Sequence, residues 1–318
     1  MTMKTLQFRN GDTIDAIGLG TWKSEPGEVG QAVEDALEAG YRHIDCAAIY
    51  RNEAEIGEAL RRVFAKGSIR REDVHITSKL WNNAHRKGDV VPALEKTLAD
   101  LQLDYLDLYL MHWPVAFRSG LAGFPQDESD FLTPEQAPIS ETWEALLAAR
   151  DQGLTRHVGV SNFSIQKLDE LGANGSEMPA MNQVELHPYL QQEKLLEYCR
   201  NHKILVTAYS PLGSNDRPDS IKADDEPSLL ENDAIGEIAD RHRATPAQIL
   251  IAWAVARGTA VIPKSTNPDR IRQNLESAEV KLDQADMERI ATLDRHYRYL
   301  HGNFFRTKSG LYGNIFDD

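Results

Sequence analysis

Short apolar runs rich in β-branched residues alternate along this chain with longer segments whose apolar residues recur every three or four positions, the signature of repeated strand–helix units. Eight alternations can be counted, with predicted strands over residues 17–20, 43–46, 74–78, 106–111, 157–160, 181–186, 205–209 and 260–263. Between the first two strands, Val29, Val33, Ala36 and Leu37 share one helical face that stops at Gly40. Ile56, Leu60, Val63 and Phe64 mark a second helix, Val91, Leu94, Leu98 and Leu101 a third, and Trp143, Leu146 and Leu147 a fourth. Eight parallel strands with outer helices close into a (β/α)8 TIM barrel, whereas an open doubly wound sheet more often uses about five or six strands. The predicted fold is therefore an α/β barrel.

A minimal barrel needs about 250 residues, and three segments exceed it. Residues 3–15 alternate apolar and polar around Asn10-Gly11, which predicts a two-residue β-hairpin turn and a small lid over the barrel bottom. Residues 114–138, rich in Pro and Gly, form a long loop after the fourth strand, and residues 211–230 another after the seventh. Such loops lie on the C-terminal face, where barrel enzymes keep their chemistry. The tail, residues 296–318, carries aromatics without a clear period. No linker or repeat divides the chain, so residues 1–318 read as one domain.

With 35 Lys and Arg against 49 Asp and Glu, the chain of 318 residues carries a net charge of −14. This gives no overall attraction to nucleic acid or anionic membranes, so any phosphate ligand needs a local cationic pocket. The first residues lack a signal-peptide core and no apolar run is long enough to span a membrane. Cys46 and Cys199 have neither disulfide-framework nor zinc-ligand spacing. A cytoplasmic, soluble protein is expected.

Asp45, Lys79 and His112 each stand at the end of a predicted strand, and Tyr50 follows five residues after Asp45. Together they make a proton donor for a carbonyl. A nearby ammonium favours phenolate, so Lys79 is expected to lower the pKa of Tyr50 from its ordinary value of about 10, while Asp45 keeps Lys79 charged. His112, neutral beside that cation, can hydrogen-bond and orient the substrate oxygen. A metal site using His112 with His187 or His157 is the competing reading, but no H-E-x-x-H or carboxylate cluster accompanies them, so no metal is expected.

These residues sit in an ordered motif series: Gly18-Leu19-Gly20-Thr21-Trp22, Gly40-Tyr41-Arg42-His43-Ile44-Asp45-Cys46-Ala47, Tyr50-Arg51-Asn52-Glu53, Ser78-Lys79-Leu80-Trp81, Met111-His112-Trp113-Pro114, Gly159-Val160-Ser161-Asn162-Phe163, Asn182-Gln183-Val184-Glu185-Leu186-His187-Pro188, Ala208-Tyr209-Ser210-Pro211-Leu212-Gly213-Ser214 and Ile262-Pro263-Lys264-Ser265-Thr266. The series resembles that of the aldo-keto reductases, most closely the aldose, aldehyde and xylose reductase branch. The resemblance implies a cytosolic, metal-free barrel that uses NADPH, with a catalytic tetrad on Asp45, Tyr50, Lys79 and His112. It implies reduction of aldehydes, and of aldoses or ketones, to alcohols. Relatives of this branch are usually monomers or dimers. Some barrels of the superfamily instead serve as NADPH-binding sensors or channel-associated subunits; the complete tetrad favours an enzyme acting on a small carbonyl substrate.

No Rossmann G-x-G-x-x-G follows a strand, so a dinucleotide has to bind the barrel mouth directly. Ser161, Asn162 and Gln183 carry donors and acceptors suited to a carboxamide, and Tyr209 offers a ring for stacking. A cap for the following helix is the alternative for Ser161 and Asn162. Lys264, Ser265, Thr266 and Arg270 cluster before and within a helix beginning near Pro268, an anion site suited to a 2′-phosphate. The resemblance adds Thr21, Trp22, Asp45, Ser210, Leu212 and Ser214 to the cofactor contacts, places Gln273 and Asn274 against the adenine, and pairs Lys23 with Asp216 across the pyrophosphate. Many relatives carry Glu where Gln273 stands. Trp22, Ile49, Trp81, Trp113 and Phe124 beside Tyr50 and His112 predict an apolar, aromatic substrate pocket. Phe117 is as readily core. The tail around Tyr299 and Phe304 departs from aldose reductase, which leaves the substrate itself open.

Overall fold

The computed structural model describes residues 3–173, 175–213, 217, 222–223 and 226–317. Strands β1 (Thr5–Gln7) and β2 (Thr13–Asp15) pair antiparallel as the expected hairpin. Its turn is not the two-residue one that Asn10-Gly11 predicts. Phe8 N–H still donates to Asp12 O (2.8 Å), so the loop is Arg9, Asn10 and Gly11, and only Gly11 has a positive φ, 97°. The Asn10 side chain is occupied with Asp12, accepting from its backbone N–H (3.1 Å) and donating to its carboxylate (2.8 Å). That local bonding favours a turn followed by a glycine bulge.

The barrel strands begin with β3 (Leu19–Gly20), β4 (His43–Asp45), β5 (His75–Leu80) and β6 (Leu106–Met111). After β6 the long loop forms its own small sheet from β7 (Ala116–Phe117) and β8 (Phe131–Leu132). The barrel then continues through β9 (Thr155–Ser161), β10 (Met181–Glu185), β11 (Leu205–Tyr209) and β12 (Ala260–Val261). The eight are parallel, in the order β3-β4-β5-β6-β9-β10-β11-β12. Bridges between Ile17 and Val261 and between Gly20 and Lys264 join the two ends into a closed barrel. All eight predicted strands are present, with ends shifted by up to two residues.

Helices α1 (Val29–Ala39), α2 (Glu53–Ala65), α3 (Val90–Leu101), α4 (Ile139–Asp151), α5 (Ile165–Gly172) and α6 (Glu193–Asn201) follow β3 through β10 in turn. Two helices, α7 (Asp233–His242) and α8 (Pro246–Ala256), follow β11; α9 (Pro268–Glu276) and α10 (Gln284–Ala291) follow β12. Gly40 ends α1 with φ 114°, a left-handed cap that only glycine adopts without strain. Ser164, not Ser161 or Asn162, caps α5 by accepting from Lys167 N–H, which removes the capping alternative for the earlier pair.

The hairpin closes the N-terminal end of the barrel. Phe8 stacks on His157 at 4.1 Å and on His75 at 5.9 Å, both nearly coplanar, and Asp12 meets His157 Nε2 at 2.9 Å. His75 and its register partner His43 open strands β5 and β4 just inside that lid. The open end, carrying the C-terminal strand ends, is left for chemistry.

Burial holds His43, His75 and His157 below the ordinary imidazole range, and His85 is pushed down to about 3 by burial alone. These rings are neutral in the folded chain and gain protons on unfolding once the pH drops below about 6.5. Their stabilising contribution is complete above that value and is lost as pH falls toward the folded values, each ring adding at most about 1.4 kcal/mol per pH unit. Glu53, pushed up to about 7 by burial, opposes them as a single group. The urea midpoint is expected to fall between about pH 7.5 and about pH 5.5, a window above most carboxylate titrations. A midpoint that rises or stays level contradicts this account.

Candidate active site

Strand register brings the site together. Gly20 pairs with Asp45 and Asp45 with Thr77, so Lys79 lies two residues further along β5 and on the same face as Thr77. Lys79 is fully buried, and its Nζ contacts Asp45 Oδ1, Cys46 O (2.8 Å) and Tyr50 Oη (3.5 Å). Asp45 Oδ2 accepts from Gln183 Nε2 at 2.7 Å. Burial works against the Lys79 ammonium, but the neighbouring Asp45 carboxylate outweighs it and holds the group above its ordinary value.

Tyr50 ends a short 3-10 turn, Ala48–Tyr50, and its ring meets His112 edge-on at 5.9 Å. One expectation is reversed here. Burial pushes the Tyr50 phenol up to about 12, and Lys79 only partly counters it. The phenol therefore stays protonated in the protein without ligands, and the Lys79 ammonium acts on the phenolate formed when the proton leaves. His112 follows β6 and is held well below the ordinary range by burial and then by Lys79, so it is neutral as expected. Its Nδ1 is buried without a partner among the described residues. An orphaned acceptor is tolerated better than an orphaned donor, which puts the proton on Nε2.

Asp45, Tyr50 and His112 line a cavity of about 1030 Å³ at the C-terminal ends of the strands, with Lys79 buried behind its wall. Aromatic and aliphatic walls come from Trp22, Ile49, Trp81, Trp113 and Phe124, joined by Leu230, Leu300 and Phe304. Phe124, Leu230 and Phe304 are the exposed large apolar side chains among the described residues, so apolar exposure is concentrated at this mouth. Phe117 belongs to the buried cluster beneath, with Trp81, Trp113 and Phe305.

The remaining wall is largely polar. Of the residues expected to contact a cofactor, Thr21, Asp45, Ser161, Asn162, Gln183, Tyr209, Ser210, Leu212, Lys264, Ser265, Thr266 and Arg270 line the cavity. Part of their hydrogen-bonding capacity is already used. Ser161 Oγ donates to Gln183 O (2.8 Å), while Asn162 Nδ2 donates to His112 O (3.0 Å) and its Oδ1 accepts from Tyr209 Oη (2.6 Å). Asn162 and Ser210 adopt left-handed backbone, φ 65° and 49°, where β9 and β11 end. Neither Lys264 nor the Arg270 guanidinium has an ion-pair or hydrogen-bond partner among the described residues, and Asn267 caps α9 beside them. Two uncompensated cations at a helix N-terminus fit an anionic group.

Gln273 and Asn274 lie further along α9, outside the cavity wall, with Gln273 exposed and Asn274 buried. Lys23 is also outside it, its Nζ 4.0 Å over the Trp22 ring. Ser214 and Asp216 lie outside the described residues, and with them the proposed pairing to Lys23. Sequence reasoning missed Arg51, Pro211, Ile262 and Pro263, and the tail residues Leu300 and Phe304. Arg51 directly follows Tyr50, but nothing in the tail's spacing pointed to which apolar residues turn inward. His157 and His187 are engaged by Asp12 and Glu185, and among the described residues no group of three or more His, Cys, Asp or Glu is placed to hold a metal. No helix among them is long and apolar enough to cross a membrane.

Residues 16–295 match the aldo/keto reductase family. The chain belongs to that family. It is 53% identical to an aldo/keto reductase of Synechocystis sp. over 100% of this chain and 97% of that protein. Aldo-keto reductase family 1 member A1 of Mus musculus is 46% identical over 94% of this chain and 92% of its own. Among solved structures, the aldose reductase from Schistosoma japonicum superposes with a TM-score of 0.88 at 40% identity, covering 97% and 98% of the two chains. This aldo-keto reductase is thus an oxidoreductase barrel of a family that generally uses NAD(P)H.

The buried ion pair at the mouth has a measurable energetic signature. Asp45→Ala leaves the Lys79 charge buried without its counter-ion and is expected to cost about 3–5 kcal/mol. Adding Lys79→Met should recover most of that loss, because an apolar pair of similar volume needs no compensation. Urea unfolding of wild type, single and double variants measures both; a double variant no more stable than Asp45→Ala refutes the assignment.

Proposed function

We propose that this chain reduces aldehydes to alcohols with NADPH, Tyr50 giving the proton to the carbonyl oxygen. The observation that carries the reading is the contact chain Asp45, Lys79, Tyr50 at one apolar-walled cavity, with neutral His112 across the Tyr50 ring. A protonated phenol next to a fixed ammonium is a donor whose conjugate base is stabilised at the moment it forms. His112 Nε2–H supplies the second hydrogen bond to the carbonyl oxygen and fixes its direction.

When bound, the reduced nicotinamide supplies hydride to the carbonyl carbon; with the Tyr50 proton on oxygen, the carbonyl becomes an alcohol. Ser161, Asn162 and Gln183 would hold the carboxamide and Tyr209 the ring face. Lys264, Ser265, Thr266 and Arg270 would hold the 2′-phosphate, because two cations unpaired among the described residues are surplus to a bare ribose hydroxyl. Trp22, Ile49, Trp81, Trp113 and Phe124 surround the organic part of the substrate, favouring small or apolar aldehydes and leaving room for aldoses. The catalytic centre uses no metal in this reading.

The test is a panel of aldehydes with NADPH and with NADH, followed by loss of reduced-nicotinamide absorbance. Tyr50→Phe should lower kcat by about 10²–10⁴-fold with NADPH affinity nearly unchanged, and a variant retaining most of its rate removes Tyr50 as donor. Binding of NADPH without turnover of any aldehyde would instead identify a sensor. Arg270→Met should weaken NADPH far more than NADH; equal loss for both refutes the 2′-phosphate site.

A further inference from the structure

The Asn182-Gln183-Val184-Glu185-Leu186-His187-Pro188 segment gives Gln183 to the catalytic network and leaves a second buried polar group unused. Glu185, the last residue of β10, is fully buried, yet no Lys or Arg forms an ion pair with it among the described residues. A buried carboxylate is costly unless hydrogen bonds compensate it. Here they do: Oε1 accepts from Tyr299 N–H (2.6 Å) and His187 Nε2 (2.8 Å), and Oε2 accepts from Leu300 N–H (2.9 Å). Burial raises Glu185, but these donors and the charge of Arg298 outweigh it and hold the carboxyl below its ordinary range, so it is ionised at neutral pH.

Both backbone donors belong to the tail. Leu300 lines the cavity directly, and four residues on Phe304 lines it too, packed edge-on against Trp113 at 5.7 Å. The tail is also held from above: Tyr299 Oη donates to Pro227 O (2.6 Å), and a Cβ at Gly213 would lie 3.2 Å from that hydroxyl. Tyr299 thus sits between the buried carboxylate and the two flanks of the loop after β11.

We propose that Glu185 is a specificity-determining positioning residue, whose carboxylate docks the tail at Tyr299 and Leu300 so that Leu300 and Phe304 form one wall of the substrate pocket. Glu185 touches no reacting atom. It acts on substrates long enough to reach that wall and leaves the Asp45, Lys79, Tyr50 chain untouched, since Gln183 holds Asp45 independently. The inference rests on the proposed carbonyl reduction for its substrate readout, but the docking itself does not.

Glu185→Gln keeps the side-chain shape while one oxygen becomes a donor, so at least one of the three converging N–H groups loses its acceptor. A hydrogen bond to a charged group is worth about 1.5–3 kcal/mol, so KM for a long-chain aldehyde should rise about tenfold to a hundredfold, with kcat changed far less. KM for a short aldehyde that cannot reach Leu300 should change by no more than about twofold. Amide hydrogen exchange at Tyr299 and Leu300, measured on full-length protein without ligands, should speed up by a similar tenfold or more. If Glu185→Gln folds poorly, Leu300→Ala supplies the same long-to-short KM change, and the double variant should add little to either. Faster exchange with an unchanged long-to-short ratio means a structural role only and overturns the specificity claim. Unchanged exchange overturns the docking. A wild type that reduces neither aldehyde overturns the proposed reaction and the specificity claim with it, while exchange alone still decides the docking.

Discussion

The buried contact between the Lys79 ammonium and the Asp45 carboxylate is the constraint around which the mouth of this barrel is organised. Two charges removed from water are tolerable only when every remaining donor and acceptor is occupied. The ammonium's other neighbours are Cys46 O and Tyr50 Oη, and the carboxylate's second oxygen is taken by Gln183. Satisfying the pair therefore fixes β4, β5, the Tyr50 turn and β10 relative to one another. The same requirement that makes the pair stable keeps the ammonium buried behind the cavity wall, where Asp45 and the Tyr50 phenol face the opening.

The two ends of the barrel use polar residues in opposite ways. At the bottom, histidines are desolvated, stacked against Phe8 and kept neutral, which closes that end. At the top, Lys264 and Arg270 have no compensating partner among the described residues, on a chain whose net charge is −14. An acidic chain with a local cationic corner at its mouth discourages polyanions and still accepts a small anion.

Much of this was legible in the sequence because periodicity and strand-end position are local properties. Each barrel strand appeared as a short apolar run, and Asp45, Lys79 and His112 stood where such runs stop. Three things were not legible. The turn at Asn10-Gly11 depends on which partner the Asn10 side chain chooses, and it chose Asp12. The acidity of Tyr50 depends on the balance between burial and one cation, and spacing reveals the cation but not the burial. The inward turn of Leu300 and Phe304 depends on a carboxylate more than a hundred positions earlier, and no pattern within the tail encodes it.

That last attachment is made through main-chain N–H groups. Every residue except proline presents one, so the socket formed by Glu185 does not read the identity of the side chains it holds. A tail of different sequence but the same backbone path can dock there without any compensating change in the barrel. The fold thereby separates two kinds of change. Substitutions of Asp45 on β4 or Lys79 on β5 disturb a buried ion pair and with it the Tyr50 phenol, whereas substitutions in the tail reshape the cavity wall and leave that pair intact. Substrate preference can drift in this architecture while the chemistry stays fixed.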